Sequence, residues 1–302
     1  MRILHLDCGR EMRGGQWQVL WLVEGLAAGG HQSTLLAPAG SPLFREASGR
    51  GLDVRPLRLQ HVRALARRCD IVHAHDARSH TIAAVLARCP LVVARRVAFP
   101  PRTGLLSRWK YSRAAHYIAV SKHVSAGLAA AGVAEEKITV VYDGVPTPQA
   151  TAAGPLIVAP RTEDPAKGTA LAREAASLAG VEIHFSSRME ADLPRARLLV
   201  YLTHQEGLGS AALLAMAHGV PVVASRVGGL VEIIDHGGTG LLVDNEPAAI
   251  AAAIRRLLDD EEVRRAMAAI GRRAVLENFT VDHMIRATLS VYQRVFQCSK
   301  PS

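Results

Sequence analysis

Glu206 stands directly before Gly207-Leu208-Gly209, and an apolar helical pattern, SAALLAMAHG, begins right after them. Glycines at a helix start leave backbone N–H groups without partners and expose the positive end of the helix dipole. An anion or a sugar bound there meets those amides, and the Glu206 carboxylate is placed to accept hydrogen bonds from sugar hydroxyls. Upstream, Arg161 and Lys167 flank TEDPA after the apolar run LIVAP. A cation at a helix start opposes the dipole unless an anion lies between, which points to a phosphate. Downstream, Val227-Gly228-Gly229 and Glu232 form a second glycine turn ahead of a helix. In the first half, Gly14-Gly15 opens a helix soon after the first apolar run, where glycine lets a ligand approach the backbone closely. The spacing is not the GxGxxG of dinucleotide sites. His73 and His75, in DIVHAHD, share one face of a strand. They suit a ligand contact at the strand end or a metal pair. No carboxylate or third His at ligand spacing completes a metal site, so no metal is expected. Asp76 either orients the His75 imidazole or caps the next helix.

Arg95, Arg96, Arg102, Arg108, Lys110 and Arg113 are interleaved with Phe99, Leu105, Leu106, Trp109 and Tyr111. Cations among large apolar side chains suit an anionic membrane or a phosphorylated acceptor. A solvated helix with a partly buried stripe gives the same pattern. No RNP or KH signature accompanies the cluster, so nucleic acid is not an expected partner. The net charge of +9 is lopsided: residues 1–150 carry 20 Lys/Arg against 10 Asp/Glu, the remainder 16 against 17. A basic first half fits an anionic surface or acceptor, or solvated arginines alone.

The elements that must position these residues alternate. Seven apolar runs of the first half (RILHLDC, STLLAP, DVRPL, DIVHAH, LVVARR, HYIAVS and ITVVYD) have helical patterns between most of them. The second half restarts with LIVAP, then VEIHFS, LLVYLT, VPVVAS and GLLV. Continuous apolar strands alternating with helices predict parallel sheets covered on both faces. Ligands in such sheets sit at the carboxyl ends of the strands. The stretch VPTPQATAAGP lacks periodicity and reads as a linker. The expected domains are 1–147 and 156–302 with a linker at 148–155, the last helix being free to pack back on the first domain. The four cysteines are scattered without CxxC, which suits reduced thiols in a cytoplasm. No run approaches the ~20 apolar residues that span a bilayer. RILHLDC, soon interrupted by Asp7, is too short for a signal peptide and reads as a buried strand.

The stretch 204–234 resembles the donor-site signature of retaining GT-B glycosyltransferases of family 4. In that family a Glu, a Gly-aromatic-Gly turn and a second Glu eight positions on bracket a nucleotide sugar. Here the turn is Gly207-Leu208-Gly209, and Leu214 stands where the second Glu is expected. The resemblance covers nearly the whole chain. PRTEDPAKG looks like the family's Gly-Arg…Lys-Gly segment, with Pro160 in place of Gly. Arg161 and Lys167 would then neutralise the donor diphosphate and stabilise the departing nucleotide. Arg13-Gly14-Gly15 looks like the turn that approaches the donor phosphates. His75 matches a His near the reacting sugar, and Glu232 an acid that closes the donor pocket. Ser121 and Asp143-Gly144 lie where the family has a Ser and an Asn-Gly; Ser121 also reads as a helix N-cap. RMEADLPRA leads almost directly to LLVYLT, so one βα unit bordering the nucleotide base is missing.

The resemblance implies a GT-B architecture: two doubly wound Rossmann-like α/β domains facing across a cleft, with an acceptor domain first and a donor domain second. It implies a retaining transferase that moves a hexose or heptose from a nucleotide sugar to a glycolipid or polysaccharide of the cell envelope. Attack on the same face, assisted by the leaving phosphate, needs no protein nucleophile, metal or cofactor. The expected location is the cytoplasm, at the inner face of the membrane where the basic face docks. Three other readings remain: a catalytically silent nucleotide-sugar or sugar-phosphate binder, motivated by Leu214; a membrane- or RNA-docking protein; and an epimerase that interconverts a nucleotide sugar without an acceptor.

Overall fold

The computed structural model describes residues 1–100, 104–149 and 151–298. It divides into two compact units, Met1–Tyr142 joined by the chain from Val281, and Asp143–Thr280. The first boundary falls at Tyr142 and not at 147. The stretch 148–149 and 151–155 belongs with the second unit, where Arg272 donates to the Pro148 carbonyl and Ala152 N to the His218 carbonyl. The last helix, Val281–Cys298, belongs to the first.

In the first unit the strands are β1 (Arg2–Leu6), β2 (Gln32–Ala37), β3 (Val54–Pro56), β4 (Ile71–Ala74), β5 (Leu91–Arg95), β6 (His116–Ala119) and β7 (Ile138–Val140). They form one sheet in the order β3-β2-β1-β4-β5-β6-β7, with every pairing parallel. Val, Ile, Leu and Ala fill these strands because helices exclude water from both faces. On one face, Ile3, Ile71, Val92 and Ile118 pack with Leu22 and Leu26 of helix Gly14–Ala28 and with Met284, Val291 and Tyr292 of the last helix. The strand order reverses between β1 and β4, the place where the carboxyl ends of a doubly wound sheet open a crevice.

The second unit has β8 (Leu156–Pro160), β9 (His184–Ser186), β10 (Ala196–Tyr201), β11 (Val222–Ser225) and β12 (Gly240–Val243), all parallel, in the order β12-β11-β10-β8-β9. Its order reverses between β8 and β10, whose following loops carry Lys167 and Glu206. Only a single helical turn, Met189–Asp192, and a 3₁₀ turn, Leu193–Arg195, join β9 to β10. Two caps read locally from the sequence: Ser121 Oγ accepts Val124 N at 3.1 Å, and Asp76 Oδ1 accepts Arg78 N and Ser79 N at 2.7 and 3.0 Å. Among the described residues no helix is long and apolar enough to cross a membrane.

Candidate functional site

In the second unit, β8 ends at Pro160 and Arg161 N donates to the Ser186 carbonyl at the end of β9. Asp164 Oδ1 accepts Ala166 N at 3.0 Å and starts the 3₁₀ turn Pro165–Lys167. That turn aims Lys167 at Glu206: Nζ donates to Oε2 at 2.7 Å. The Tyr201 hydroxyl, at the end of β10, donates to the same oxygen at 2.8 Å, and Gly207 N donates to Oε1 at 3.2 Å. Glu206 therefore sits among three donors, one of them Lys167, and is 14% exposed against 36% for Lys167. Burial first and the Glu206 charge second hold the Tyr201 hydroxyl well above the usual phenol range.

The loop after β10 is tied on both sides. Thr203 Oγ1 and His204 N both donate to the Ala166 carbonyl, at 3.2 and 2.8 Å, which locks the Glu206 loop to the Lys167 turn. Ser225 Oγ accepts Thr203 N at 2.9 Å and donates to Asn245 Oδ1 at 2.5 Å, while Asn245 Nδ2 donates to the Thr203 carbonyl at 3.0 Å. Gly228 and Gly229 press backbone to backbone against the same loop. Gly229 N donates to the Glu206 carbonyl at 3.1 Å. A Cβ on Gly228, whose φ is +51°, would stand 2.1 Å from the Glu206 carbonyl oxygen; one on Gly229 would stand 2.1 Å from that of Gly207. Gly209, at φ +106°, begins helix Ser210–Ala217 with no side chain to cap its first amides.

The other second-unit candidates divide. Arg161 is exposed and makes no ion pair among the described residues; Glu232 is half-buried in the turn Leu230–Ile233. Leu208 and Leu214 are buried and present almost no surface to a ligand.

In the first unit, His5 of β1 is the register partner of His73 of β4, and His75 N continues that ladder to the Leu6 carbonyl at 3.0 Å. Alternation puts His5, His73 and His75 on one face of the sheet. This corrects the expectation that no third His joins the pair. His5 Nδ1 lies 3.0 Å from His75 Nε2, and His73 Nδ1 lies 2.5 Å from the Tyr292 hydroxyl. Nε2 of His5 and of His73 have no partner. The candidate ligand nitrogens lie within 4.8 Å of one another. Burial pushes His5 down to about 3. It also holds His73 and His75 well below the usual imidazole range, with the neighbouring imidazoles adding to the effect.

Asp76 caps helix Ala77–Leu86 and accepts Cys8 N at 2.6 Å, so it braces the glycine-bearing loop. Arg13 is the N-cap residue of helix Gly14–Ala28 and pairs with Glu11. A Cβ on Gly15 would meet only Arg96 Cδ, at 3.8 Å. Arg96 reaches His75, with Nη1 3.5 Å from Nδ1. His75 itself is 6% exposed.

The basic cluster is less outward than its sequence suggests. Arg102 lies outside the described residues. Arg96 turns to His75, Lys110 Nζ donates to the Ala77 carbonyl at 2.8 Å, and Arg95 donates to the Phe99 carbonyl and, at 3.4 Å, to the Tyr111 hydroxyl. Arg113 Nε donates to the Ala84 carbonyl at 3.3 Å. Arg108 remains exposed on helix Leu105–Ser112, which buries none of its residues. Leu105 and Leu106 are each 84% exposed, and Phe99 and Trp109 about half. A cavity of about 930 Å³ lies between this helix and residues Ala130–Ala134, with Arg108 and Lys137 among its lining. The cysteines are not all scattered: the free thiols Cys69 and Cys89 lie 3.2 Å apart.

Sequence reasoning missed His5, Tyr201, Thr203, Ser225 and Asn245. The signal for His5 was a polar residue at the inward parity of a buried strand, between Ile3 and Asp7. For Tyr201 it was a hydroxyl at the end of the strand that leads to Glu206.

Residues 12–149 match the sequence model of Glycosyltransferase Family 4, and residues 166–274 that of Glycosyl transferases group 1. The two parallel-sheet units and the solved structures they resemble define a GT-B fold, and each half of the chain resembles a glycosyltransferase model. It is 35% identical over 109 residues to the N-acetyl-alpha-D-glucosaminyl L-malate synthase of Bacillus anthracis, covering 36% of this chain and 29% of that protein. It is 44% identical over 104 residues to the D-inositol 3-phosphate glycosyltransferase of Kineococcus radiotolerans, covering 32% and 24%. The matched stretch thus spans less than a third of either relative. Anabaena Alr3699/HepE in complex with UDP superposes with a TM-score of 0.86 at 16% identity, over 97% of this chain and 100% of that one.

Proposed function

We propose that the protein transfers a sugar from a nucleotide-sugar donor to an acceptor, with the donor held on the second unit. The observation that carries this reading is the convergence of Lys167 and Glu206 at 2.7 Å, beside the glycine-started helix Ser210–Ala217. Each residue was a candidate on separate grounds, 39 positions apart. Lys167, with Arg161 exposed nearby in sequence, supplies fixed positive charge for the donor diphosphate, and that charge counts most as the phosphate departs. Gly209 and the amides after it meet the same anion. Glu206 keeps Lys167 in place while no donor is bound and then accepts sugar hydroxyls. In the first unit Gly14-Gly15 gives a ligand close approach, and His75 acts there through its contact with Arg96. Transfer proceeds with retention, by same-face attack assisted by the leaving phosphate.

The acceptor is a glycolipid or polysaccharide of the cell envelope. The exposed Leu105, Leu106, Trp109 and Phe99 beside Arg108 support peripheral contact with an anionic membrane from the cytoplasmic side. Sugar transfer itself is supported by the names of the relatives, a D-inositol 3-phosphate glycosyltransferase and an N-acetyl-alpha-D-glucosaminyl L-malate synthase. A second reading, binding of a nucleotide sugar without turnover, is favoured by Leu214, which is buried and carries no carboxylate for a ribose.

The test is nucleoside diphosphate release from UDP-, GDP- and ADP-sugars, with and without an envelope lipid extract. The transfer reading expects release with one donor class that rises with acceptor and is lost in Lys167→Ala. Binding without release under every donor supports the silent reading. Interconversion of the donor sugar without acceptor makes the protein an epimerase.

A further inference from the structure

The buried imidazoles of the first unit have no assigned role beyond His75, yet their contacts fix one arrangement of protons. A guanidinium has only donors. Arg96 Nη1 lies 3.5 Å from His75 Nδ1, so Nδ1 must carry the lone pair. The His75 proton is then on Nε2, which lies 3.0 Å from His5 Nδ1. His5 Nδ1 must accept, and its own proton sits on Nε2, a nitrogen with no partner. Burial keeps the imidazoles neutral, so this contact is a single N–H···N bond. The planes of the His5 and His75 rings are within 15° of parallel and their centroids lie 5.3 Å apart, which suits an in-plane bond between the two nitrogens.

We propose that His5 is a positioning residue that holds His75 as its Nε2–H tautomer, with the Nδ1 lone pair turned to Arg96. His73 packs against His75 with ring centroids 4.0 Å apart, and is itself held by Tyr292 of the last helix. The carboxyl end of β4 therefore receives one fixed acceptor for Arg96. The strength of the arrangement lies in its depth: His5 is fully buried. Which ring nitrogen is protonated is set by the bond the other nitrogen makes. Without His5, the His75 ring is free to take the other tautomer, whose Nδ1–H faces a donor and repels it. Arg96 passes Gly15 on its way to His75, so its loss of register moves the cation that a ligand at the Gly14-Gly15 turn meets. Only this catalytic consequence rests on the transfer reading; the tautomer does not.

The experiment is a long-range proton–nitrogen correlation spectrum of the full chain labelled with [15N]histidine, His75 being identified by its loss in His75→Gln. Wild type is expected to show His75 protonated on Nε2 alone. His5→Leu is expected to mix its tautomers and to lower turnover about tenfold, the scale of one lost hydrogen bond. Donor KM should change little. His5→Asn, whose carboxamide oxygen can stand where Nδ1 stood, is expected to restore both the tautomer and turnover. Protonation of wild-type His75 on Nδ1, or an unchanged tautomer in His5→Leu, overturns the proposal. If His5→Leu does not fold, the wild-type spectrum and His5→Asn decide it. A shifted tautomer with unaltered turnover overturns the catalytic consequence and leaves the proton arrangement standing. No turnover in wild type overturns the transfer reading instead.

Discussion

Gly14-Gly15 and Gly228-Gly229 are the same dipeptide at the start of a helix, and the molecule uses them differently. A side chain at 228 or 229 would collide with the backbone of Glu206 or Gly207 at 2.1 Å; one at 15 would make ordinary contact with Arg96 at 3.8 Å. The second pair is demanded by the chain's own packing, because it braces the loop that presents Glu206. At Gly15 no such demand exists, which leaves that turn open to an incoming group. The polar groups beside them differ in the same sense. Around Glu206 each carboxylate oxygen has a donor. Around His75 three imidazoles are buried, and two ring nitrogens go unpaired. A buried polar atom without a partner is costly, so the first unit bears a strain that the second avoids.

Acid should separate the units most strongly. His5, His73, His75, His80 and His116 all lie in the first unit with lowered pKa values, His5 and His80 at about 3 and His116 at about 4. The second unit holds one lowered imidazole, His218. A His lowered on folding stabilises above its unfolded value near 6.5, and that stability drains as pH falls from there towards the folded value. Each proton contributes a slope of about 1.4 kcal/mol per pH unit. Asp7, raised chiefly by burial, opposes the trend; Asp53 and Asp70, both lowered, add to it only in the carboxylate range. All three tryptophans, Trp17, Trp21 and Trp109, are in the first unit. Tryptophan fluorescence should therefore report unfolding between pH 6 and 4 while much of the far-UV circular dichroism persists. Coincident transitions would erase the contrast.

Next in size, Gly228→Ala should cost more than about 3 kcal/mol in urea unfolding, since a backbone clash adds to a left-handed φ. Gly15→Ala should stay within about 0.5–1 kcal/mol, helped by helix propensity, and any harm should fall on ligand affinity. Equal losses at both sites would mean that the first turn too is a packing device. Lys167→Ala should lower kcat/KM by roughly 10²-fold, the scale for removing one preorganised charge at a leaving group. Tyr201→Phe removes one of several donors to Glu206 and should cost only about 1 kcal/mol; a larger loss would make Tyr201 the main support of that carboxylate.

How far the sequence could be read follows from the kind of signal. The apolar runs of the first half name all seven strands, because strands covered on both faces leave little room for polar residues. Glu206, Lys167 and the glycine turns were legible as a local pattern with a physical purpose. Their meeting was not, because it depends on β8 and β10 lying side by side. His5 was hidden for the same reason: it becomes a partner of His75 only through the register of β1 with β4. Arg96 and Lys110 looked like surface charge because sequence does not say where a long side chain bends. The last helix was left free to pack on either domain, because its amphipathic pattern does not name the sheet it covers.

The most direct test of the central claim is a thermal-shift and calorimetric screen of UDP-, GDP- and ADP-sugars against wild type and Arg161→Ala/Lys167→Ala. A ligand that binds only the folded chain raises Tm by mass action. A shift with one nucleotide class is expected, abolished in the double variant while its own Tm stays near wild type. A shift that survives the double variant would contradict the placement of the donor beside Lys167 and Glu206, and no shift with any nucleotide sugar would contradict the donor itself.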